Sequence, residues 1–406
     1  MRRFCACCLL CMILSGCSPS TVDENGTTTL RVWVGDNADV AWMEQVLRDF
    51  TAANPDKPYN VQIGVQNEGN VSKVILADVE AAADIFTFAD DQLPDLLAAG
   101  ALSPITEETQ DIINRNTAPS VAAATGSDGQ LYAYPATADN GYFLFYNSAY
   151  ISQNDASSLE SILDRAAQNG RRFAFPMSNG WYLYSFFRGA GLEMSLDDGG
   201  LTNRCNWNAT DTSITGEQVL TALLTIADHP GFIDADSDVF VAGLKDGSII
   251  AGVSGTWNAS VAAQVWGDNY AAAKLPTYKV AGQDVQMASF SGYKLVGVNA
   301  YSPNVGAAMD LAAFMTDHDA QLDRFRLRRQ GPSNVAALAS TEVQSEPAIA
   351  AIVAQAPYAD VQRVGSKYWD AAGSLGKIIA SGNPNNIPLQ TLLDNAVAGI
   401  TATADQ

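Results

Sequence analysis

Leu30-Arg31-Val32-Trp33-Val34, turning through Gly35-Asp36-Asn37 into the run Val40 to Ala52, is where the fold is decided. Its first five residues alternate as a strand does, and Val40, Met43, Val46, Leu47 and Phe50 recur at helical spacing. The pattern then repeats. Val61-Gln62-Ile63-Gly64-Val65 reads as a second strand, Asn70 to Ala82 as a helix, and Asp84-Ile85-Phe86-Thr87-Phe88 as a third strand. Strand, helix, strand, helix, strand predicts parallel strands joined by right-handed crossovers. Such sheets take ligands in the crevice beyond the carboxyl ends of their strands. That rule singles out Asp36 and Asn37 after the first strand and Ala89 to Gln92 after the third.

Downstream, Leu93 to Ala99 reads as a short helix ending at Gly100, and Asp128-Gly129 as a tight turn into Leu131-Tyr132-Ala133-Tyr134-Pro135. Tyr142 to Tyr146, Arg172 to Pro176, Ser248 to Val253 and Tyr293 to Val298 read as strands. Helical spacing marks Leu159 to Ala167, Trp181 to Phe187, Gly216 to Ala227, Val305 to Thr316, Pro347 to Ala354 and Ile387 to Ile400. Asp197-Asp198-Gly199-Gly200 is acidic, but two glycines after two aspartates are turn chemistry before they are a cation site. There is no internal repeat. At 406 residues the chain exceeds what one hydrophobic core usually organises, so two lobes are expected.

The N-terminus has its own logic. Arg2 and Arg3, the apolar run Leu9 to Leu14 and the small pair Ser15-Gly16 before Cys17 have the order of a secretory leader, with an apolar core too short for a permanent membrane span. Leu14-Ser15-Gly16-Cys17 resembles the lipobox of bacterial lipoproteins. The resemblance implies that residues 1–16 are a signal peptide and that Cys17, acylated, anchors the mature chain to the outer face of a membrane. Each buried methylene holds with about 0.8 kcal/mol. An ordinary cleaved leader is the alternative, since Cys5, Cys7, Cys8 and Cys11 make cysteine common there. Residues 17–29, polar and broken by Pro19, Asn25 and Gly26, make a tether.

With 23 basic and 44 acidic side chains the formal charge is −21, which repels nucleic acid and anionic lipid and suits a neutral solute. Beyond Cys17 only Cys205 remains, so no internal disulfide is expected, and Cys205 reads as a small buried residue. His229 and His318 each lack a cysteine or second histidine at ligand spacing. No metal site is expected, and both histidines read as surface or helix-end residues.

Catalytic patterns are sparse. Gly252-Val253-Ser254-Gly255-Thr256 lacks the last glycine of a nucleophile elbow, and neither a phosphate-cradling loop nor a zinc-helix motif is present. Asp90-Asp91 is the best-placed pair of carboxylates for a glycosidase, although adjacency in so acidic a chain is weak. What stands out is aromatic residues at expected loop and strand ends: Phe88, Tyr142, Trp181, Tyr182, Trp257 and Trp369. A pyranose offers an apolar C–H face and a rim of hydroxyls, so its pocket needs flat rings and planar hydrogen-bonding groups. Each stacking ring adds roughly 0.5–1.5 kcal/mol beyond its area. Any one of these rings can equally be core.

The order of landmarks resembles the extracellular solute-binding proteins of bacterial ATP-driven importers, in particular their maltose/maltodextrin-binding branch. The landmarks are Leu30 to Trp33, Ala83-Asp84-Ile85 before Phe88 to Gln92, Gly100 to Ile105, and Asp128 to Pro135. Phe145-Tyr146-Asn147, Gly247 to Trp257 and Ser366 to Trp369 complete the series. The resemblance implies an α/β, two-lobed periplasmic-binding-protein-like fold, each lobe a mostly parallel sheet flanked by helices, with the ligand cleft between lobes. The expected lobes are residues 30–138 with 285–330, and residues 139–284 with 331–406. It further implies stacking by Phe88, Trp181, Tyr182, Trp257 and Trp369. Hydroxyl contacts fall to Asp36, Asn37, Asp91, Gln92 and either Asp139 or Asn140. Gln92 and Asn37 replace basic residues common in the family, and Asn179 replaces a glutamate, so hydrogen bonding is kept while positive charge is lost. The expectation is therefore a monomeric, non-enzymatic lipoprotein that needs no cofactor. It would capture a neutral oligosaccharide of the maltodextrin type at the cell surface and deliver it to a membrane permease. Another glycan or a polyol in the same fold, or a surface-anchored glycan hydrolase, are the alternatives.

Overall fold

Two five-stranded sheets organise the chain in the computed structural model, which describes residues 26–197 and 202–403. The leader, Cys17, the tether up to Glu24-Asn25, and Asp198-Gly199-Gly200 lie outside the described residues. In the first sheet Thr28–Val34 lies between Tyr59–Val65 and Ile85–Ala89, parallel to both, and Lys294–Val298 and Ala133–Thr137 follow beyond Ile85–Ala89. Leu30, Val32 and Val34 share one buried cluster with Trp42, Met43, Val46 and Phe50 of the helix Val40–Ala53. Full burial of such a side chain contributes roughly 1.5–3 kcal/mol.

The second sheet runs in the order Tyr270–Ala273, Phe143–Asn147, Ile249–Ser254, Arg172–Phe175, Phe232–Asp234. Both its faces are covered, so its strands read as continuous apolar runs. Leu144 and Tyr146 point into a large cluster with Phe173, Phe175 and Leu183, whereas Phe143 and Phe145 point into another with Phe240 and Trp266.

Each sheet is mostly parallel, four of its five strands running one way and one against them. Lys294–Val298 runs antiparallel to both Ile85–Ala89 and Ala133–Thr137, and Phe143–Asn147 runs antiparallel to both its neighbours. The cause is connectivity. A strand that arrives from the other sheet enters at the end where the parallel strands finish, and so must run against them.

Three segments cross between the sheets and are bonded to one another. Ala138 N–H donates to the Gly331 carbonyl at 3.0 Å, and Asn140 N–H to the Gly292 carbonyl at 3.2 Å. Gly331 N–H donates to the Asp139 carboxylate. Glycine is needed here for close approach: a Cβ on Gly292 would lie 2.6 Å from Asp90 Oδ1, and one on Gly331 3.0 Å from the Asp139 Cβ.

Helix and strand positions follow the periodicity, with local exceptions. The helix expected over Asn70 to Ala82 is Val71–Ala77, because Asp78 turns extended and its carboxylate accepts the Ala81 N–H at 3.0 Å. The last helix begins at Leu389, after Pro388. His229 ends one helix and His318 begins another. Cys205 is half-buried and unpaired, and burial pushes its thiol up to about 12. Among the described residues no helix is long and apolar enough to cross a membrane.

Candidate functional site

Between the sheets the first lobe presents a floor of buried charge. Lys294, at the start of its strand, pairs with Glu68 at 2.6 Å, and Arg324 reaches Glu68 at 3.5 Å and Asp39 at 3.3 Å. Arg328 closes the set on Asp39 at 3.0 Å and on Asp36 at 2.7 Å. Burial by itself would raise the Asp39 carboxyl, but Arg324, Arg328 and Lys294 hold it below its ordinary value. A buried network of this kind fixes geometry, since removal of one partner strands the others.

Asp36 lies at the rim of this floor, its side chain 47% exposed: besides Arg328, its carboxylate accepts the N–H groups of Ala38 and Asp39. Asn37 beside it is exposed. At the end of the third strand Asp90 is buried, accepting from Tyr293 N–H and Arg363 Nη1, each at 2.8 Å. Asp91 is half-buried, and desolvation pushes its carboxyl up to about 7. The Gln362 amide and Arg363 pull it down, and the Asp90 charge pushes it further up.

The second lobe supplies an aromatic wall. Asn179 accepts the Trp181 N–H at 2.9 Å and so starts the helix Gly180–Gly189. That start places Trp181 over Tyr142 and Tyr182, with ring centroids 4.7 and 5.0 Å away. Trp257, just past the strand Ile249–Ser254, lies 5.8 Å from Trp181 at a tilt of 38°. Its ring also faces the first lobe, where Lys294 Nζ sits 5.8 Å from the centroid. Trp369, on the helix Lys367–Ala380, packs against Tyr368 and Phe290 at 5.0 and 6.4 Å.

The expected site residues thus divide. Trp181 and Trp257 are half-buried side by side, with Tyr182 largely buried behind Trp181 and Gln362, bonded to the Trp181 indole, beside Asp91 of the first lobe, while Trp369 is half-buried against Tyr368 and Phe290. Three residues do not face the cleft. Phe88 has no exposed surface: it pairs with Leu295 in the sheet and packs on Phe86 at 5.8 Å, so it is core. The Gln92 amide accepts the Ser72 N–H and donates to the Glu68 carbonyl, which uses it in the loop beneath. Asp139 is buried in the crossing segments with one carboxylate oxygen on Gly331 N–H and the other unpartnered, leaving Asn140, half-buried, as the member of that pair with a reachable side chain. Sequence reasoning missed Glu68, Lys294, Arg324, Arg328, Gln362 and Arg363. Arg324 and Arg328 were findable as an i, i+4 pair on one helix face; Gln362 and Arg363 carry no pattern of their own.

The arrangement offers flat rings on one side and carboxylates and amides on the other, which is the complement of a sugar's two kinds of surface. Comparisons with known proteins bear on the same stretch. Residues 45–351 match the family model described as bacterial extracellular solute-binding protein. The galactooligosaccharide-binding protein of Bacillus subtilis (strain 168) is 23% identical over 423 residues, covering 97% of this chain and 95% of that one. A structure solved with acarbose is 29% identical with a TM-score of 0.82, over 93% of this chain and 99% of that chain. The maltodextrin binding protein from L. casei BL23, solved without ligand, is 25% identical with a TM-score of 0.75, over 93% and 100%.

Proposed function

The chain belongs to the bacterial extracellular solute-binding protein family, and from that premise we propose that it is the substrate-binding lipoprotein of an ATP-driven sugar importer. It captures a neutral oligosaccharide of the maltodextrin type between its lobes and delivers it to a membrane permease. Residues 30–138 with 285–330 form one lobe and residues 139–284 with 331–406 the other, with Cys17 as lipid anchor and the protein acting as a monomer outside the cell membrane. The observation that carries this reading is the Trp181–Trp257 wall, 5.8 Å between rings, facing Asp91 and Lys294 across the cleft. The names of the L. casei protein and of the acarbose complex support an α-glucan.

Closure follows from a ligand that touches both lobes, because only differential affinity shifts two states. A glycosidase reading is weakened by Asp90, whose carboxylate is committed to Arg363 and Tyr293. A second binding reading, a galactooligosaccharide, is favoured by the B. subtilis relative. Thermal-shift measurements separate these readings, since any compound that binds the native state raises the melting temperature. A rise with maltotriose and none with galactooligosaccharides or polyols supports the first reading. A rise with galactooligosaccharides alone selects the second, and release of shorter sugars on incubation selects a hydrolase.

A further inference from the structure

The helix His318–Arg328 belongs to the first lobe along most of its length: the Trp42 indole donates to the Ala320 carbonyl at 2.9 Å, and Arg324 reaches Asp39 at 3.3 Å. Its last turn also touches the second lobe. The Leu327 carbonyl accepts from Ser260 Oγ at 3.2 Å, and Ser260 sits on the helix Ala259–Trp266, whose Ala259 and Ala262 share a cluster with Phe143 and Phe145 of the second sheet. Arg329, just past the helix, donates from Nη1 to Glu346 Oε2. Glu346 is buried, caps the helix Pro347–Gln355 and accepts the Tyr270 hydroxyl at 2.7 Å. That helix places Ala348 and Ala351 in the same second-lobe cluster. Arg328, one residue earlier, holds Asp39 and Asp36 of the first lobe. Two adjacent arginines thus grip opposite lobes, and the chain turns between them. Arg329 has a φ of +56°, a left-handed conformation that residues with a Cβ rarely adopt and that persists only where the surroundings hold it.

We propose that the Arg329–Glu346 pair pins the end of this helix to the second lobe, so that the lobes turn about the peptide between Arg328 and Arg329, and that Arg329 is a positioning residue for sugar capture. The proposal rests on the reading of the cleft as an oligosaccharide site. A pair placed at the pivot is kept as the lobes turn. It does not select the closed form but narrows the set of arrangements that the ligand-free protein visits. A sugar that needs both lobes then has less to order on binding, and affinity rises. The Glu346 side chain is 1% exposed and that of Arg329 41%, so the carboxylate is fixed while the guanidinium adapts.

Glu346→Gln tests it with little disturbance of the fold. Glu346 Oε1 takes both the Tyr270 hydroxyl and the Ala348 N–H, and an amide oxygen still accepts them. The NH2 group then stands where Oε2 met Arg329, donor against donor, and the pair is cut. Glu346→Gln and Arg329→Met should each show a larger ligand-free radius of gyration in small-angle scattering and maltotriose binding about tenfold weaker than wild type, with an unchanged radius for the saturated complex. The double variant should be no weaker than either single one, because both cut the same bond. Arg329→Lys keeps a cation within reach of Glu346 and should bind within about threefold of wild type. Wild-type radius and affinity in Glu346→Gln, whatever its melting temperature, would overturn the pivot, and so would an Arg329→Lys protein as weak as Arg329→Met. If wild type binds none of the sugars the functional reading fails, while the ligand-free radii of wild type and Glu346→Gln still decide the pivot.

Discussion

Phe88 and Trp257 both lie at strand ends, yet only Trp257 keeps an accessible face. Phe88 is closed in by its antiparallel neighbour Lys294–Val298, in which Leu295 stands opposite and Gly297 leaves room for the ring. Trp257 has passed the end of its strand through Gly255, where a Cβ would collide with the indole at 2.0 Å, so glycine lets the ring fold over the chain. The two substitutions should therefore part company. Phe88→Ala empties a core site and should cost about 3–5 kcal/mol in urea unfolding, while the folded fraction keeps its sugar affinity within about threefold. A stable Phe88→Ala protein with lost affinity would put the ring back in the cleft.

At the scale of elements, the turn Asp90–Gln92 meets the segment just past the strand Ala359–Val361, where Arg363 donates to Asp90, and Asp91 makes that meeting sensitive to pH. Its carboxyl is raised in the folded state, so the native protein holds a proton that the unfolded chain gives up, and the charged form is the penalised one. Stability from this group is fully present below the unfolded value of 3.8 and is lost progressively as pH rises from there to about 7. Burial pushes Asp90 and Asp317 in the same direction. Melting temperature should thus fall between about pH 5.5 and about pH 8, and Asp91→Asn should flatten part of that slope; an unchanged slope would contradict the burial of Asp91.

Strands and helices were legible because periodicity and turn residues mark them locally, as in Leu30 to Val34 and Val40 to Phe50, whereas two lobes were expected from chain length alone. The parallel run of the first three strands was legible in the strand-helix alternation, but the reversed direction of Lys294–Val298 was not, since its alternation is the same whichever way the strand runs. In the site, Trp181 and Trp257 were legible as aromatics at element ends. Gln362 and the Lys294–Glu68–Arg324 floor depend on pairings between distant segments, which no local pattern encodes.

For the whole molecule, a formal charge of −21 and a proposed anchor at Cys17 describe a receptor held beside its membrane partner while repelling nucleic acid and anionic lipid. Tethering raises the local concentration of the encounter without adding a contact. Cys17→Ser should move the protein from the membrane to the soluble fraction with unchanged sugar affinity, and a protein that stays with the membrane would refute the anchor. Calorimetric titration of the purified protein with maltotriose, beside Trp257→Ala, should give one site per chain, with affinity lost by about tenfold or more in the variant while its melting temperature is kept. No binding heat from wild type, or equal affinity in the two proteins, would show that this aromatic wall does not hold the sugar.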